Sequence, residues 1–504
     1  MVYRGLPSRG CKNCRKLHVK CDEGRPSCSR CSRTEKSCTG YRDVALLVCD
    51  ETETVRSRAL GRAVRPGTKL DDLSIEQLPQ YCARDVIVWQ FYCQTKSSLP
   101  KSGHAYYLHS ELPYMYSRSL STSALHLSTQ AIAYAVAAKS HKSAARFARE
   151  YYAKAISAMK LTLQDTQEVM ADETLYAVLL LSGYETITCT SEKLIGWAAH
   201  VSGAATLLIH RGKESFERPF ASRMFHFARR SIVLYHIQTC TPTARIFKSL
   251  DEPASLDENE EDRLFSIMAR LPQIQHRERE SLDRPTTPKN GCEIALLHLA
   301  KLVDGQLVAW QNNLPPAWSI TIAQSIHVPD APNIHALFFP KEIHKYRDFR
   351  TARVSNLCRV SRIILQSIIV RLHNRMQLTD DMDCARTSIQ KLVDEICSSV
   401  SYLSGDELSK MRLPEPQTLS VRNAGERSPV TTEEKHSSRS GRYCLFWPLY
   451  VASSVTCVPS SQRKWMRQQL LSFGEAGEPL ATWLAASESQ LVAGRAENFA
   501  FDCV

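Results

Sequence analysis

The stretch CKNCRKLHVKCDEGRPSCSRCSRTEKSC, residues 11–38, places six cysteines in 28 positions. The spacing is C-x2-C-x6-C, then six residues, then C-x2-C-x6-C again, so Cys11, Cys14 and Cys21 recur as Cys28, Cys31 and Cys38. Closely spaced thiols serve disulfides, dithiol exchange or metal ligation. The chain opens on MVYRGLPSRG, without an apolar leader, so a reducing compartment is expected and disulfides are not. A thioredoxin-type pair needs one C-x-x-C beside a βαβ pattern. Haem attachment needs a His after the second Cys, where Arg15 and Ser32 stand. Metal ligation remains.

A structural zinc takes four thiolates in a tetrahedron, and C-x2-C supplies two of them from one tight turn. Two separate sites would need eight cysteines. Six serve two metals only if two sulfurs bridge, and a single metal would leave two cysteines idle and the repeat without purpose. The expected cofactor is therefore two Zn2+ per chain in a binuclear cluster. The segment has almost no aliphatic core, so metal binding would also supply its folding energy.

Charge points the same way. Residues 1–42 hold eleven Lys and Arg against Asp22, Glu23 and Glu35, which is +8 of the chain's net +12. Such a concentrated basic segment suits a polyanion, most simply nucleic acid.

The six-cysteine pattern, the basic run after Cys14, the KCDE around Cys21 and Pro26 before Cys28 resemble the fungal binuclear zinc-cluster transcription factors. The resemblance implies that Cys11 and Cys28 bridge, that Cys14 and Cys21 complete one zinc, and that Cys31 and Cys38 complete the other. It also implies a short helix over CRKLHVK, residues 14–20, whose C-terminal end enters the major groove and reads a CGG-like triplet. Arg15 and Lys20 then meet phosphates, Leu17 and His18 lie at the base edges, and Lys16 belongs to the same DNA-binding run. His18 can donate to guanine, and Leu17 can offer only its carbonyl.

After Cys38, residues 43–80 read as a linker; Val44, Val48 and Val55 make only a weak heptad seam. Dimerisation through the later domain and binding as a monomer both stay open. From about residue 81 to 504 the periodicity is helical. Ala144, Phe147, Ala148, Tyr151, Ala155, Ala158 and Met159 form one stripe, Leu175 to Leu181 are apolar on nearly every side, and Trp197, Val201, Ala204 and Leu208 share a face that ends before Gly212. The expected fold is a small zinc-stabilised module, residues 1–42, followed by a large all-α domain. Two stretches, about 251–290 and 414–440, read as exposed or disordered insertions, the first because it begins with seven acids in twelve positions. The twelve cysteines outside the cluster read as buried small hydrophobes.

LLLSGYETITCTSEKLIGWAAHVSGAATLLIHRG, residues 179–212, and CLFWPLYVASSVTCVPSSQRKWMRQQL, from Cys444, resemble the helical regulatory region of the same transcription factors. No phosphate loop, dinucleotide fingerprint, nucleophile elbow or H-E-x-x-H is present, so no enzyme is expected. His200, His210, Tyr184 and Glu185 read as packing or hydrogen-bonding residues. The tail AENFAFDCV mixes acids and aromatics as activation segments do, with a docked terminus the plainer reading. Together these imply a nuclear, sequence-specific DNA-binding regulator acting on RNA polymerase II promoters, with double-stranded DNA and the transcription machinery as partners. No run of about 18 apolar residues marks a membrane span. The rival from another class is a zinc-cluster adaptor for protein partners, which would not need the basic segment.

Overall fold

The computed structural model describes residues 10–24, 26–38, 80–98, 104–188, 195–242, 258–282, 290–325, 338, 340–378, 382–405, 441–497, 500 and 501. Two units, Met1–Leu73 and Ser74–Val504, each hold together by their own contacts. The first contains α1 (Lys12–Lys16) and α2 (Ser29–Arg33). The second begins with α3 (Gln80–Ser98), α4 (His104–Arg118), α5 (Ala124–Ala137), α6 (Ala144–Thr162), α7 (Asp172–Thr188), α8 (Ile195–Arg211) and α9 (Pro219–Thr239). It continues with α10 (Glu260–Met268), α11 (Leu271–Leu282) and α12 (Asn290–Asn312). A two-stranded antiparallel sheet follows, β1 (Thr321–Ser325) with β2 (Glu342–Lys345). The last helices are α13 (Phe349–Met376), α14 (Met382–Ser404), α15 (Phe446–Ser453), α16 (Ser460–Glu475) and α17 (Pro479–Ala486).

The apolar patterns decide what each helix buries. On α6, Ala144, Ala148, Tyr151, Ala155 and Met159 are buried, one stripe of an otherwise polar helix. On α7, every residue from Leu175 to Leu181 is buried, because α5, α6 and α8 pack around it. The 28-residue α13 is covered on most sides by α10, α11, α12, α14 and α15. Val354, Leu357, Val360, Ile364, Ile368 and Leu372 of α13 are all at or below 1% exposure. Burying such a side chain contributes about 1.5–3 kcal/mol. The helix α9 links the two halves of this body, touching α4 and α8 on one side and α10 and α11 on the other.

Helix ends follow local chemistry. Ser123 caps α5 by accepting from His126 N, and Asp348 caps α13 by accepting from Thr351 N at 2.8 Å. At the far ends, Cys240 after α9 and Gln377 at the close of α13 take left-handed backbone, φ 50° and 56°. The next amide then bonds five residues back, Thr241 N to His236 O and Leu378 N to His373 O.

Three expectations need correction. The acidic stretch is not a solvated insertion where it is described: residues 260–282 form α10 and α11, and Leu264, Phe265, Met268, Leu271 and Ile274 are fully buried. Glu261 and Asp262 are fully buried too, because partners from distant segments neutralise them. Arg350 Nε lies 2.7 Å from Glu261, Arg230 lies 3.1 Å away, and Arg353 also pairs with it. Asp262 accepts from His104 Nε2 at 2.7 Å and from Asn259 N at 3.2 Å, closing a capping box on α10. Residues 251–257 and 283–289, the stretch 414–440 and the linker up to residue 79 lie outside the described residues. Second, the outlying cysteines are mixed: Cys240, Cys358 and Cys397 are buried, but Cys93, Cys292, Cys384 and Cys457 are exposed. Third, the large domain expected to be all-α is helical apart from one short sheet among the described residues, β1 with β2, five and four residues long with a register break between Ile322 and Gln324.

The chain's last described residues are docked. Gln238 on α9 exchanges two bonds with the Phe501 backbone, at 2.9 and 3.0 Å, and accepts Glu497 N on its own carbonyl. The Glu497 carboxylate is buried and receives the Tyr450 hydroxyl. Phe499 and Asp502 lie outside the described residues.

Candidate metal centre and nucleic-acid interface

The repeat in the sequence is a repeat in space. Each half is a C-x2-C turn opening a five-residue helix, and each helix closes in the same manner. Val19 N bonds Cys14 O and Lys36 N bonds Cys31 O, both at 3.0 Å, with His18 and Glu35 in left-handed backbone at φ 53° and 55°. The helix expected over residues 14–20 is therefore shorter and earlier, Lys12–Lys16: the bond from Val19 closes it, and Leu17 and His18 form its end. Arg15 lies in α1, and its side chain is outside the described residues.

The sulfurs converge. Cys11 and Cys28 are fully buried, Cys14 and Cys31 nearly so, and Cys21 and Cys38 half-buried. Two groups of four form, Cys11–Cys14–Cys21–Cys28 and Cys11–Cys28–Cys31–Cys38, each with all Sγ atoms within 4.8 Å. Cys11 and Cys28 belong to both. The Sγ–Sγ distances are 3.7 Å for Cys11–Cys28 and Cys11–Cys31, and 3.8 Å for Cys14–Cys28. A tetrahedron with Zn–S bonds of about 2.3 Å has edges of about 3.8 Å. The cysteines fit zinc.

Local bonds prepare the sulfurs. The Cys14 amide reaches Cys11 Sγ and the Cys31 amide reaches Cys28 Sγ, so each C-x2-C turn aims an N–H at its first sulfur. Without a cation, desolvation and the adjoining Cys11 thiol push Cys14 up to about 12, whereas ligation to a cation favours the thiolate. Among the described residues only Val19 adds an aliphatic side chain to this small core. Asp22, in the loop between the halves, holds the start of α2: both its oxygens accept Ser29 N at 3.1 Å, and one accepts the Ser29 hydroxyl. Its carboxyl is lowered by the Ser29 hydroxyl and amide.

The outward surface differs between the halves. The first exposes Lys16, Leu17, His18 and Lys20 around the end of α1. The second exposes Arg33, Thr34 and Glu35 at the places of Lys16, Leu17 and His18, a carboxylate standing where the first has an imidazole, and Ser37 at the place of Lys20. Thr34 folds back, its hydroxyl donating to Arg30 O at 2.9 Å.

A fungal Zn(2)-Cys(6) binuclear cluster domain matches residues 9–45, and a fungal specific transcription factor domain matches residues 104–479. The chain belongs to the fungal zinc-cluster transcription factors. Transcription factor dbaG of Emericella nidulans is 26% identical over 217 residues, 42% of this chain and 48% of that protein. White-opaque regulator 2 of Candida albicans is 53% identical over 38 residues, 8% of each chain. The match thus spans about half of the first relative and a small part of the second. No solved structure matches.

In this zinc-cluster protein the helical unit brings together residues that the sequence offers only one at a time. Glu185 at the end of α7 and His200 on α8 share the hydroxyl of Tyr152 on α6, which donates to Glu185 and lies 2.9 Å from His200 Nε2. Burial lowers His200 to about 4. Tyr184 stacks on Tyr152 at 4.3 Å, and His210 is exposed at the end of α8. Gly196 makes room: a Cβ there would overlap the Glu185 carboxylate. The sequence pattern does not single out Tyr152, the hold of Asp22 on Ser29 or the buried His104–His226–Asp262 cluster. For Asp262 a local signal exists, the capping-box spacing from Asn259 to Asp262. Among the described residues no helix is long and apolar enough to cross a membrane.

Proposed function

We propose that this protein is a nuclear, sequence-specific DNA-binding regulator of transcription by RNA polymerase II. Its cluster holds two Zn2+ per chain, with Cys11 and Cys28 shared, Cys14 and Cys21 completing one site and Cys31 and Cys38 the other. Bound zinc cross-links the thiolates and so holds the short module folded. Residues 1–42 form the reading module, 43–80 the linker and 81–504 the regulatory body, through which the chain dimerises and meets the transcription machinery.

The observation that carries this reading is the asymmetry of a symmetric scaffold. Two halves with the same backbone end differently, and only the first carries an imidazole among Lys16 and Lys20. Glu35 would repel phosphate at the matching place of the second. The first half therefore faces the duplex, with His18 donating to guanine in a GC-rich, CGG-like triplet and Arg15 and Lys20 meeting phosphates. The basic excess of the segment supports a polyanion over a protein partner.

The test is selection of binding sites from a random DNA pool by the zinc-loaded full chain, repeated after chelation. Enrichment of one short motif that vanishes with the metal is the expected result. Salt-sensitive binding without any enriched motif would refute sequence-specific reading.

A further inference from the structure

We propose that Leu17 reads a C5-methyl group in the major groove, that of thymine or, by the same chemistry, of 5-methylcytosine. The inference rests on the DNA-reading function above and adds a base contact to it.

Leu17 is 58% exposed at the end of α1, although an aliphatic residue two positions later, Val19, packs onto the cysteine cluster. Among the described residues Leu17 is not one of those packed on the cysteine cluster, and its sequence neighbours Lys16, His18 and Lys20 are exposed cations or hydrogen-bonding groups. The repeat supplies an internal comparison. At the matching place of the second half stands Thr34, whose hydroxyl is satisfied by Arg30 O at 2.9 Å. That end closes on itself, whereas the first half leaves an isobutyl group pointing out of a basic surface.

A duplex offers such a group few places. The base edges in the major groove are donors and acceptors, and covering them with a leucine would strip them of water without a replacement bond. The C5-methyl is the exception: it is apolar and projects into the groove, where contact with Leu17 removes two apolar surfaces from water at once. A leucine between Lys16 and His18 therefore suits a methyl-bearing pyrimidine next to the guanine that His18 meets.

The experiment uses the zinc-loaded full chain and the motif enriched from the random pool. Probes are compared in which each thymine in turn is replaced by deoxyuridine, which lacks only the methyl, or each cytosine by 5-methylcytosine. At one position we expect a roughly three- to five-fold loss with deoxyuridine if the base is thymine, or a similar gain with 5-methylcytosine if it is cytosine. In Leu17→Ala that methyl effect should disappear while the zinc content stays unchanged, since Leu17 is exposed and ligates nothing. An enriched motif whose affinity ignores every methyl change would overturn the inference and leave the DNA-reading function standing. So would a methyl effect that persists undiminished in Leu17→Ala. Absence of any enriched motif would overturn both.

Discussion

Glu261 and Arg350 lie 2.7 Å apart across 89 residues of chain, the carboxylate fully buried at the start of α10 and the guanidinium in the first turn of α13. Arg230 and Arg353 share the same carboxylate. Glu261→Gln would leave three guanidiniums with one charge fewer in a dry setting, and such a loss costs about 3–5 kcal/mol. Denaturant unfolding should show it. Arg347→Gln, which removes a largely exposed pair with Asp348, should cost less than about 1 kcal/mol. Equal effects would mean that the buried cluster carries no special share of stability.

Acid should attack the same place. Burial alone would raise Glu261, but Arg230, Arg353 and Arg350 hold it down at about 2. A lowered carboxylate contributes stability above its unfolded value near 4.5, and that stability is lost as pH falls toward 2. Its share is about 3 kcal/mol. His226, lowered to about 3 mainly by burial and held there against the pull of Asp262, adds a loss that begins below 6.5. Denaturant midpoints measured from neutral pH downward should decline gently at first and steeply below 4.5. Glu261→Gln should flatten the steep part.

The shared sulfurs can be separated from the terminal ones by chemistry. An imidazole gives one lone pair to one metal, whereas a thiolate can bridge two. Cys38→His should keep two zincs, and Cys11→His or Cys28→His should not. Metal content after gel filtration reads the difference. Full zinc in Cys11→His would contradict the bridging assignment.

Reading and steering should also separate. His18→Gly keeps the left-handed backbone unstrained and removes the imidazole, so it should cost about 1–3 kcal/mol of discrimination at one base pair. Lys20→Ala should weaken random and selected DNA alike and lower the salt slope by about one unit. Equal losses on specific and random DNA for His18→Gly would remove its reading role.

Gly196→Ala places a methyl group against the Glu185 carboxylate and should detach it from Tyr152, at about 1–3 kcal/mol. Glu185→Ala in the same chain should relieve most of that cost, giving a double variant more stable than the two single effects predict. Simple additivity would show that Gly196 and Glu185 do not act on each other.

The metal centre was legible because its chemistry is local. Four-ligand geometry, two C-x2-C turns and a repeat within residues 11–38 leave few ways to place six thiolates. The helical stripes of α6, α7 and α13 were legible for a similar reason, since a 3.6-residue period needs only its own helix. Where helix ends fall is finer: the bond from Val19 to Cys14 shortened the expected recognition helix and put His18 into left-handed backbone. The sequence by itself determined the spacing of the six cysteines, the basic character of their segment and the helical class of the larger unit. Only the tertiary structure decided that Glu261 and Asp262, which read as solvated acids, are core residues. Their partners come from positions 104, 230, 350 and 353, and the free energy of burying a charge depends on those distant neighbours rather than on the residue itself.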